Sequence, residues 1–474
     1  MAKIIGRAII AAVVLAIVAA MLLGSPIFYT SVPALSIGEY DYTAAEYNYY
    51  FNSIYAQYAY FIDSSTPLSK QDSLFGEGTW EEYFRGQTEN SLQQISMLYD
   101  AGKKENFTIP ELDAEDPDYI RPAAEQVASM KAQAAQSGYG DFDEYLVTSY
   151  GKGMSEELFT GLMERAIYAS AYQLELTRRK TAELTDEVLD AKYAEIGQEQ
   201  DLQTYYIYTV SAELDPTTGG ITDEALADAK AKADALNAVH NGDDFAELVL
   251  EYAPEESKET YRLHNASLVR NKAANSGADY DDWLKSPERK QGDSEIFSAP
   301  DSYTVVLFES RNYNQFHRAD YVDVVVAAET DAESGEYTSQ TLSAAKSLAD
   351  QLLADWAANE QTQETFTALN DLNTTAGAAE SGLKTDVALG VSAYELEDWL
   401  FDPDRKEGDT TIVYVESNGN NAYHILYFAG AEEQRYDRVL AKNQILTDYS
   451  TQWNEEHIGD FPITERFGFN FRVK

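Results

Sequence analysis

Apolar side chains recur at three- and four-residue spacing through most of residues 36–200, and this spacing predicts a helical region. Further helices are expected over residues 79–102, 122–137, 141–150 and 155–180, with a short one from 185; Ser155 is an N-cap and Gly102 a C-cap. A last helix, over 436–453, should pack back on this region as part of the C-terminal segment 431–474. The first helix follows Thr43, and its spaced apolar residues are Tyr47, Phe51, Ile54, Tyr58 and Phe61.

Residues 1–30 have a different pattern, in which Lys3 and Arg7 precede an apolar run from Ala8 to Leu23. Sixteen residues at 1.5 Å each span about 24 Å, which is short of a hydrocarbon core of roughly 30 Å. A cleaved signal peptide and a signal anchor both stay open, and we take the anchor. Because positive charge stays inside, a single-pass protein with the bulk of its chain outside the cytoplasm is predicted.

Beyond residue 200 the pattern alternates between strands and helices, and it repeats. The segments DWLKSPERKQGD (282–293) and DWLFDPDRKEGD (398–409) agree at eight of twelve positions with an offset of 116. Each copy reads as a strand, two helices, a variable loop, a short helix that carries the Trp motif, and a final strand. Two α+β domains, residues 201–315 and 316–430, are therefore predicted, and the chain as a whole is expected to be α+β.

Charge and composition restrict the class of protein. The chain has 81 acidic and 35 basic residues and a formal net charge of −46, so nucleic acid is not expected as a partner. Hydrophobic residues make up 44%, which is too many for a disordered acidic tail. The absence of cysteine excludes disulfides and thiolate metal sites, and it fits a bacterial envelope without disulfide machinery.

Tyrosine is abundant around the first helix, on more than one of its faces. A single core-facing stripe cannot use all of these side chains, so some are expected to line a groove that binds extended chains. The alternative is a helix that is buried all round. The candidate substrate-binding residues are Tyr47, Tyr50, Tyr55 and Tyr58.

Two segments carry a resemblance to a known family: GDFDEYLVTSYGKGMSEELF at residues 140–159, and LTDEVLDAKYAE at 184–195, which leads into the strand at 204. With the order of elements, they resemble the parvulin-type peptidyl-prolyl isomerases of bacterial envelopes, the PrsA and SurA family. The resemblance implies a SurA N-like chaperone domain over 36–200, completed by the C-terminal helix, and two tandem parvulin-like domains.

The resemblance also locates candidate catalytic residues. Active parvulins carry two histidines on neighbouring strands, and these positions fall on Thr304 and near Tyr206 in the first repeat. In the second repeat they fall on His424 and near Asp323. The first domain therefore looks degenerate, and His424 and Asp323 are the catalytic candidates. No cofactor and no metal is implied, since no two histidines stand three or four residues apart.

The resulting hypothesis is a membrane-anchored foldase-like chaperone outside the bacterial cytoplasm, which binds unfolded exported polypeptides. One alternative is an active peptidyl-prolyl isomerase that works through the second domain. Another is a non-enzymatic scaffold in an envelope complex. The expected partners are unfolded polypeptides and, through the N-terminal helix, the membrane; a homodimer is left open.

Overall fold

A computed structural model describes residues 26–116, 119–264, 266–416, 420–466 and 468–469. The chain divides into two compact units: unit 1 comprises residues 1–183 and 446–474, and unit 2 comprises residues 184–445. Of the predicted membrane segment, residues 1–30, the first 25 lie outside the described residues. Within the described residues, no helix is both long enough and apolar enough to cross a membrane.

Unit 1 is mainly helical, as predicted, but it also contains a small sheet that the sequence did not indicate. The antiparallel strands have the order β11-β1-β2, so the C-terminal strand pairs with the first strand of the chain. The strands are β1 (Pro33–Ile37), β2 (Tyr40–Thr43) and β11 (Ile463–Glu465). The helices are α1 (Pro26–Thr30), α2 (Ala44–Tyr58), α3 (Trp80–Lys104), α4 (Ala123–Gln136), α5 (Phe142–Tyr150) and α6 (Glu156–Ala182), with short 3₁₀ turns at Ala59–Phe61 and Leu68–Lys70.

Side-chain caps fix where these helices begin. Ser155 accepts a hydrogen bond from the Leu158 N–H, as predicted, and Thr43 and Thr79 form reciprocal capping boxes with Glu46 and Glu82. The predicted C-cap at Gly102 is wrong, because α3 continues to Lys104. Gly102 is instead buried against the rings of Tyr168 and Tyr172, where a β-carbon would have no room.

Unit 2 contains the predicted repeat as two sheets with the same topology. The antiparallel orders are β4-β3-β6-β5 and β8-β7-β10-β9, so both repeats have two strands more than the sequence indicated. The first repeat contains β3 (Leu202–Ser211), α8 (Asp223–Asn237), α9 (Gly242–Tyr252), a 3₁₀ turn (Glu255–Ser257), α10 (Lys258–His264), β4 (Leu268–Ala273), α11 (Asp281–Lys285), β5 (Ser294–Ser298) and β6 (Ser302–Asn312). The second contains β7 (His317–Ala327), α12 (Ser339–Ala357), α13 (Gln363–Thr367), 3₁₀ turns (Ala368–Leu372 and Ala376–Ala379), β8 (Gly382–Val387), α14 (Tyr394–Leu400), β9 (Thr410–Val415) and β10 (Ala422–Arg435). The predicted mixed α+β class is confirmed.

The ends of unit 2 differ from the predicted boundary at residue 200. Helix α7 (Asp186–Gln200) belongs to unit 2, where Leu189 and Tyr193 pack against Ala441. Ala441 lies on α15 (Tyr436–Ile458), the predicted C-terminal helix. In unit 1, Trp453 of the same helix packs against the cluster around Tyr172.

The repeated Trp motif is a structural element in both copies. Arg289 lies over the ring of Trp283 at 4.8 Å, and Arg405 lies over Trp399 at 4.0 Å. The glycines that follow have φ of +85° and +90°, and their N–H groups donate to the last strand of their own sheet. Through this hydrogen bond, the segment that is most similar in the two repeats attaches the short helix to the final strand.

The two repeats also contact each other within unit 2. Arg270 on β4 forms an ion pair with Asp398 on α14, and its backbone N–H donates to the Tyr394 hydroxyl at 3.2 Å. Lys272 donates to the carbonyl oxygen of Gly390. Strand β4, which forms one edge of the first sheet, is therefore in contact with the second repeat.

Candidate functional site

The two catalytic candidates lie on adjacent strands and contact each other. Strand β10 pairs with β7 so that His424 is opposite Val325 and Leu426 is opposite Asp323. Asp323 and His424 are therefore diagonal neighbours on one face of the sheet. The Nδ1 atom of His424 is 3.1 Å and 3.0 Å from the two carboxylate oxygens of Asp323.

This pair lies on the face that also receives α14. Asp323 is 5% exposed, and the side chain of His424 is 15% exposed. Beside them on the same face, Tyr321, Leu426 and Phe428 form an apolar cluster with residues of α14. The opposite face packs against α12 and α13.

The geometry defines what the pair can do chemically. With Nδ1–H donating to the carboxylate, the imidazole is held in one orientation, and Nε2 is the nitrogen left for a ligand. A buried carboxylate needs such a donor, so the pair also has a structural role. Among the described residues there is no cluster of three His, Cys, Asp or Glu side chains that could hold a metal ion.

The first repeat has no such pair. In the second repeat, Leu426 lies two residues after His424 and pairs with Asp323. The equivalent residue of the first repeat, Val306, lies two residues after Thr304 and pairs with Ile207. Ile207 therefore occupies the position that the sequence assigned near Tyr206. Tyr206 faces the opposite side, with its ring 5.9 Å from that of Phe245. The hydroxyl of Thr304 hydrogen-bonds to that of Thr209 at 2.8 Å.

The four tyrosines expected to line a groove differ in their exposure. Tyr47 and Tyr50 are buried in the core of unit 1, so neither can meet a ligand at the surface. Burial raises the pKa of both hydroxyls, which keeps them protonated. Tyr55 and Tyr58 are half-buried, and both rings pack on Phe84. For Tyr47 and Tyr50, the alternative of a helix buried on several faces is the correct one.

Exposed aromatic side chains occur instead on the segment that follows this helix, residues 59–79, which we call the aromatic loop. Its exposed apolar residues are Tyr60 (94% exposed), Phe61 (57%), Leu74 (64%) and Phe75 (53%). Two hydrogen bonds between Asp63 and Gln71, at 3.0 and 2.9 Å, hold the two halves of the loop together. This loop was not among the predicted sites, although its Leu-Phe pair among Ser and Gly residues is a signal present in the sequence.

The base of the aromatic loop is fixed to the core. The Phe75 ring lies 5.4 Å from Tyr58 and 5.3 Å from Tyr83. Three exposed acidic residues, Asp63, Asp72 and Glu77, lie on the loop, against one lysine. The loop therefore presents apolar side chains on an acidic surface.

Comparisons with known proteins give little beyond this geometry. No family model matches the chain, and no curated protein matches it. Among solved structures, it is similar to the crystal structure of foldase protein PrsA from Streptococcus pneumoniae str. Canada MDR_19A, with 17% identity over 64% of this chain and 91% of that chain. The TM-score is 0.17, so the match is a resemblance to the foldase family from which no residue role is transferred.

Proposed function

We propose that the chain is a foldase-like chaperone that binds unfolded polypeptides after their export. The observation that carries the proposal is the aromatic loop, because exposed apolar clusters on soluble domains mark interaction sites. In this proposal, residues 1–30 anchor the chain in the bacterial cell membrane and the remainder lies outside the cytoplasm.

The charge of the chain favours a particular kind of client. A net charge of −46 attracts segments that carry lysine and arginine, and the acidic residues of the aromatic loop add to this locally. Apolar client side chains would pack on Tyr60 and Phe75 while flanking basic residues meet the surrounding carboxylates. Repulsion between copies would keep the loaded chaperone soluble.

The test is an aggregation assay with the full chain in detergent micelles. Substitution of Tyr60, Phe61 and Leu74 by Ser, which leaves Phe75 on Tyr58 and Tyr83, should abolish the suppression of client aggregation with the melting temperature nearly unchanged. The matched control replaces three exposed apolar residues of unit 2, Leu214, Leu372 and Val391, by Ser. Equal activity of both variants would refute the proposal. Light scattering of the same sample distinguishes a monomer from the homodimer that the sequence left open.

The anchor is tested separately. Deletion of residues 1–25 should move the protein from the membrane fraction to the soluble extracytoplasmic fraction. A protein that stays with the membrane after the deletion would contradict this part of the proposal.

A second candidate function is prolyl cis/trans isomerisation, and the Asp323–His424 pair is the observation that favours it. The reaction has a barrier of about 18–20 kcal/mol, and an apolar site lowers it by desolvating and twisting the amide. Asp323 would hold the imidazole of His424 beside the apolar cluster that contains Phe428.

Exchange in proline peptides, measured by NMR, tests this activity. The wild type should accelerate exchange, and His424→Ala and Asp323→Asn should each lose the acceleration. Thr304→Ala, at the corresponding position of the first repeat, is the control and should retain it. No acceleration by the wild type would leave the repeats as binding modules or, if client holding also fails, as parts of an envelope scaffold.

A further inference from the structure

Unit 1 contains a cavity of about 500 Å³ between α3, the first turn of α4, and α6. We call it the α3–α6 cavity. Its walls combine charged side chains with apolar and aromatic ones, among them Tyr99, Ile109, Pro122 and Tyr168. This volume is within the range of small-ligand sites.

Two cations line this cavity without an ion-pair partner within 4 Å among the described residues: Lys103 and Arg165. The amine of Lys103 lies 4.2 Å from the ring centre of Tyr168, and the guanidinium of Arg165 lies 5.8 Å from that of Tyr99. The chain has 81 acidic and only 35 basic residues, so acidic partners are plentiful. The next lysine on α3, Lys104, is paired with Asp100 at 2.7 Å. Positive charge is therefore concentrated in this cavity.

Arg165 is also incompletely satisfied. Its Nη1 atom is buried and has no hydrogen-bond partner among the described residues. Burial raises the pKa of the adjacent Tyr42, so this hydroxyl stays neutral and does not cancel the charge. A buried donor without an acceptor costs free energy that a bound anion would recover.

A second cavity of about 350 Å³ shares Gly161 and Arg165 with the first, but it is lined by Glu46 and Glu157. The α3–α6 cavity has two cations and one acidic residue, the exposed Glu164, so an anion is favoured there and not in the second cavity. Gly161 lines both cavities, and a side chain at this position has room, because a β-carbon there would meet no atom within 4 Å.

We propose that the α3–α6 cavity binds a carboxylate that is attached to an apolar group. Lys103 and Arg165 would hold the carboxylate, and the apolar walls would hold the group attached to it. The N-terminus of α4, which has no side-chain cap among the described residues, brings its first N–H groups, at Ala123 and Ala124, to the cavity lining. The same chemistry occurs in the C-terminus of a polypeptide and in a free organic acid. The inference that the carboxylate belongs to a polypeptide rests on the proposed chaperone function, whereas the carboxylate site itself does not.

Titration calorimetry on the full chain tests the proposal with four probes. These are the peptide acetyl-Ala-Phe-Leu with a free or an amidated C-terminus, and N-acetyl-phenylalanine as the acid or the amide. At least one acid should bind at least tenfold more tightly than its amide. Binding of the peptide acid supports the polypeptide source, and binding of N-acetyl-phenylalanine alone supports the same site with a small acid as its ligand.

Two variants and a matched control locate the binding. Lys103→Gln should weaken acid binding at least tenfold, and Gly161→Leu, which fills the cavity, should abolish it. Lys104→Gln removes the next lysine on α3, which is exposed and paired with Asp100, and should have no effect. Equal binding of acids and amides, or equal effects of the two lysine variants, would overturn the proposal. The aromatic-loop variant should retain acid binding, so failure of the chaperone function is distinguishable from failure of this site.

Discussion

At the scale of single residues, the Asp323–His424 pair stabilises a buried carboxylate whatever its chemical role. Asp323 is 5% exposed, so removal of its donor would leave a buried charge without a partner. The first repeat has side chains that cannot ionise, Ile207 and Thr304, at the same two positions.

A comparison of single and double variants follows from this. We expect His424→Thr to destabilise unit 2 by about 3 kcal/mol, because the Asp323 carboxylate is then buried and unpaired. The double variant Asp323→Ile, His424→Thr copies the first repeat and should recover most of that loss. Urea-unfolding midpoints measure both. A double variant less stable than His424→Thr would contradict this account.

Glu397 shows how burial affects a carboxyl group at the contact between the repeats. Its Oε1 atom accepts hydrogen bonds from the N–H groups of both Gly390 (2.7 Å) and Ser392 (3.1 Å). Burial raises the pKa of Glu397 above its ordinary value despite these hydrogen bonds and the nearby Lys272, all of which lower it.

The sign of the pH dependence follows from this raised pKa. A carboxyl group with a higher pKa in the folded state stabilises that state below its unfolded pKa, about 4.3, and loses the contribution as pH rises through the folded pKa. Glu397→Gln cannot ionise. Its free energy of unfolding, relative to wild type, should therefore increase between about pH 4 and pH 7. Glu395→Gln, an exposed carboxyl on the same helix, controls for the loss of one charge, and a flat difference for Glu397→Gln would refute the prediction.

At the scale of elements, the contact between the repeats depends on the close approach of two backbones. Gly390 has φ of +84°, and a β-carbon there would overlap the carbonyl oxygen of Asn271 on β4. Gly408 has φ of +90° but open space around it, so it has the same conformation without the contact.

Alanine at these two glycines separates backbone strain from the loss of contact. Gly408→Ala should cost about 1–2 kcal/mol for the left-handed conformation alone. Gly390→Ala should cost more, and it should increase amide hydrogen exchange on β4 and around residues 388–398, which Gly408→Ala should not. The same exchange pattern in both variants would show that the repeats do not depend on this contact.

At the scale of the whole molecule, 81 acidic residues against 35 basic ones produce strong self-repulsion. Ion pairs within helices, such as Lys346–Asp350 and Lys232–Asp228, are exposed and offset little of it. Salt should therefore stabilise this protein, because screening weakens the net repulsion more than the exposed pairs.

Thermal unfolding at different ionic strengths tests this. Between 10 mM and 150 mM NaCl, screening shortens the Debye length from about 30 Å to about 8 Å. We expect the melting temperature to rise by about 2–5 °C. Choline chloride should have the same effect as NaCl, which separates screening from cation binding. A melting temperature that falls with salt would show that the ion pairs outweigh the repulsion.

Elements with local signals could be predicted from the amino-acid sequence alone. The 116-residue offset located both repeats, capping residues located helix starts such as Ser155, and the strand pattern put His424 and Asp323 on separate strands. Helix caps and side-chain periodicity act within a few residues, so one sequence contains them.

Which residues face each other, and which reach the surface, depends instead on long-range packing. The edge strands β4 and β8 have mixed polar sequences that become strands by pairing with β3 and β7. The register placed Ile207, not Tyr206, diagonal to Thr304 on the same face of the sheet, because a shift of one residue changes the face. Tyr47 is buried by Phe469, whose ring lies 5.0 Å away, from the other end of the chain. Such long-range packing cannot be inferred from periodicity, because periodicity defines a face of an element and not what covers that face.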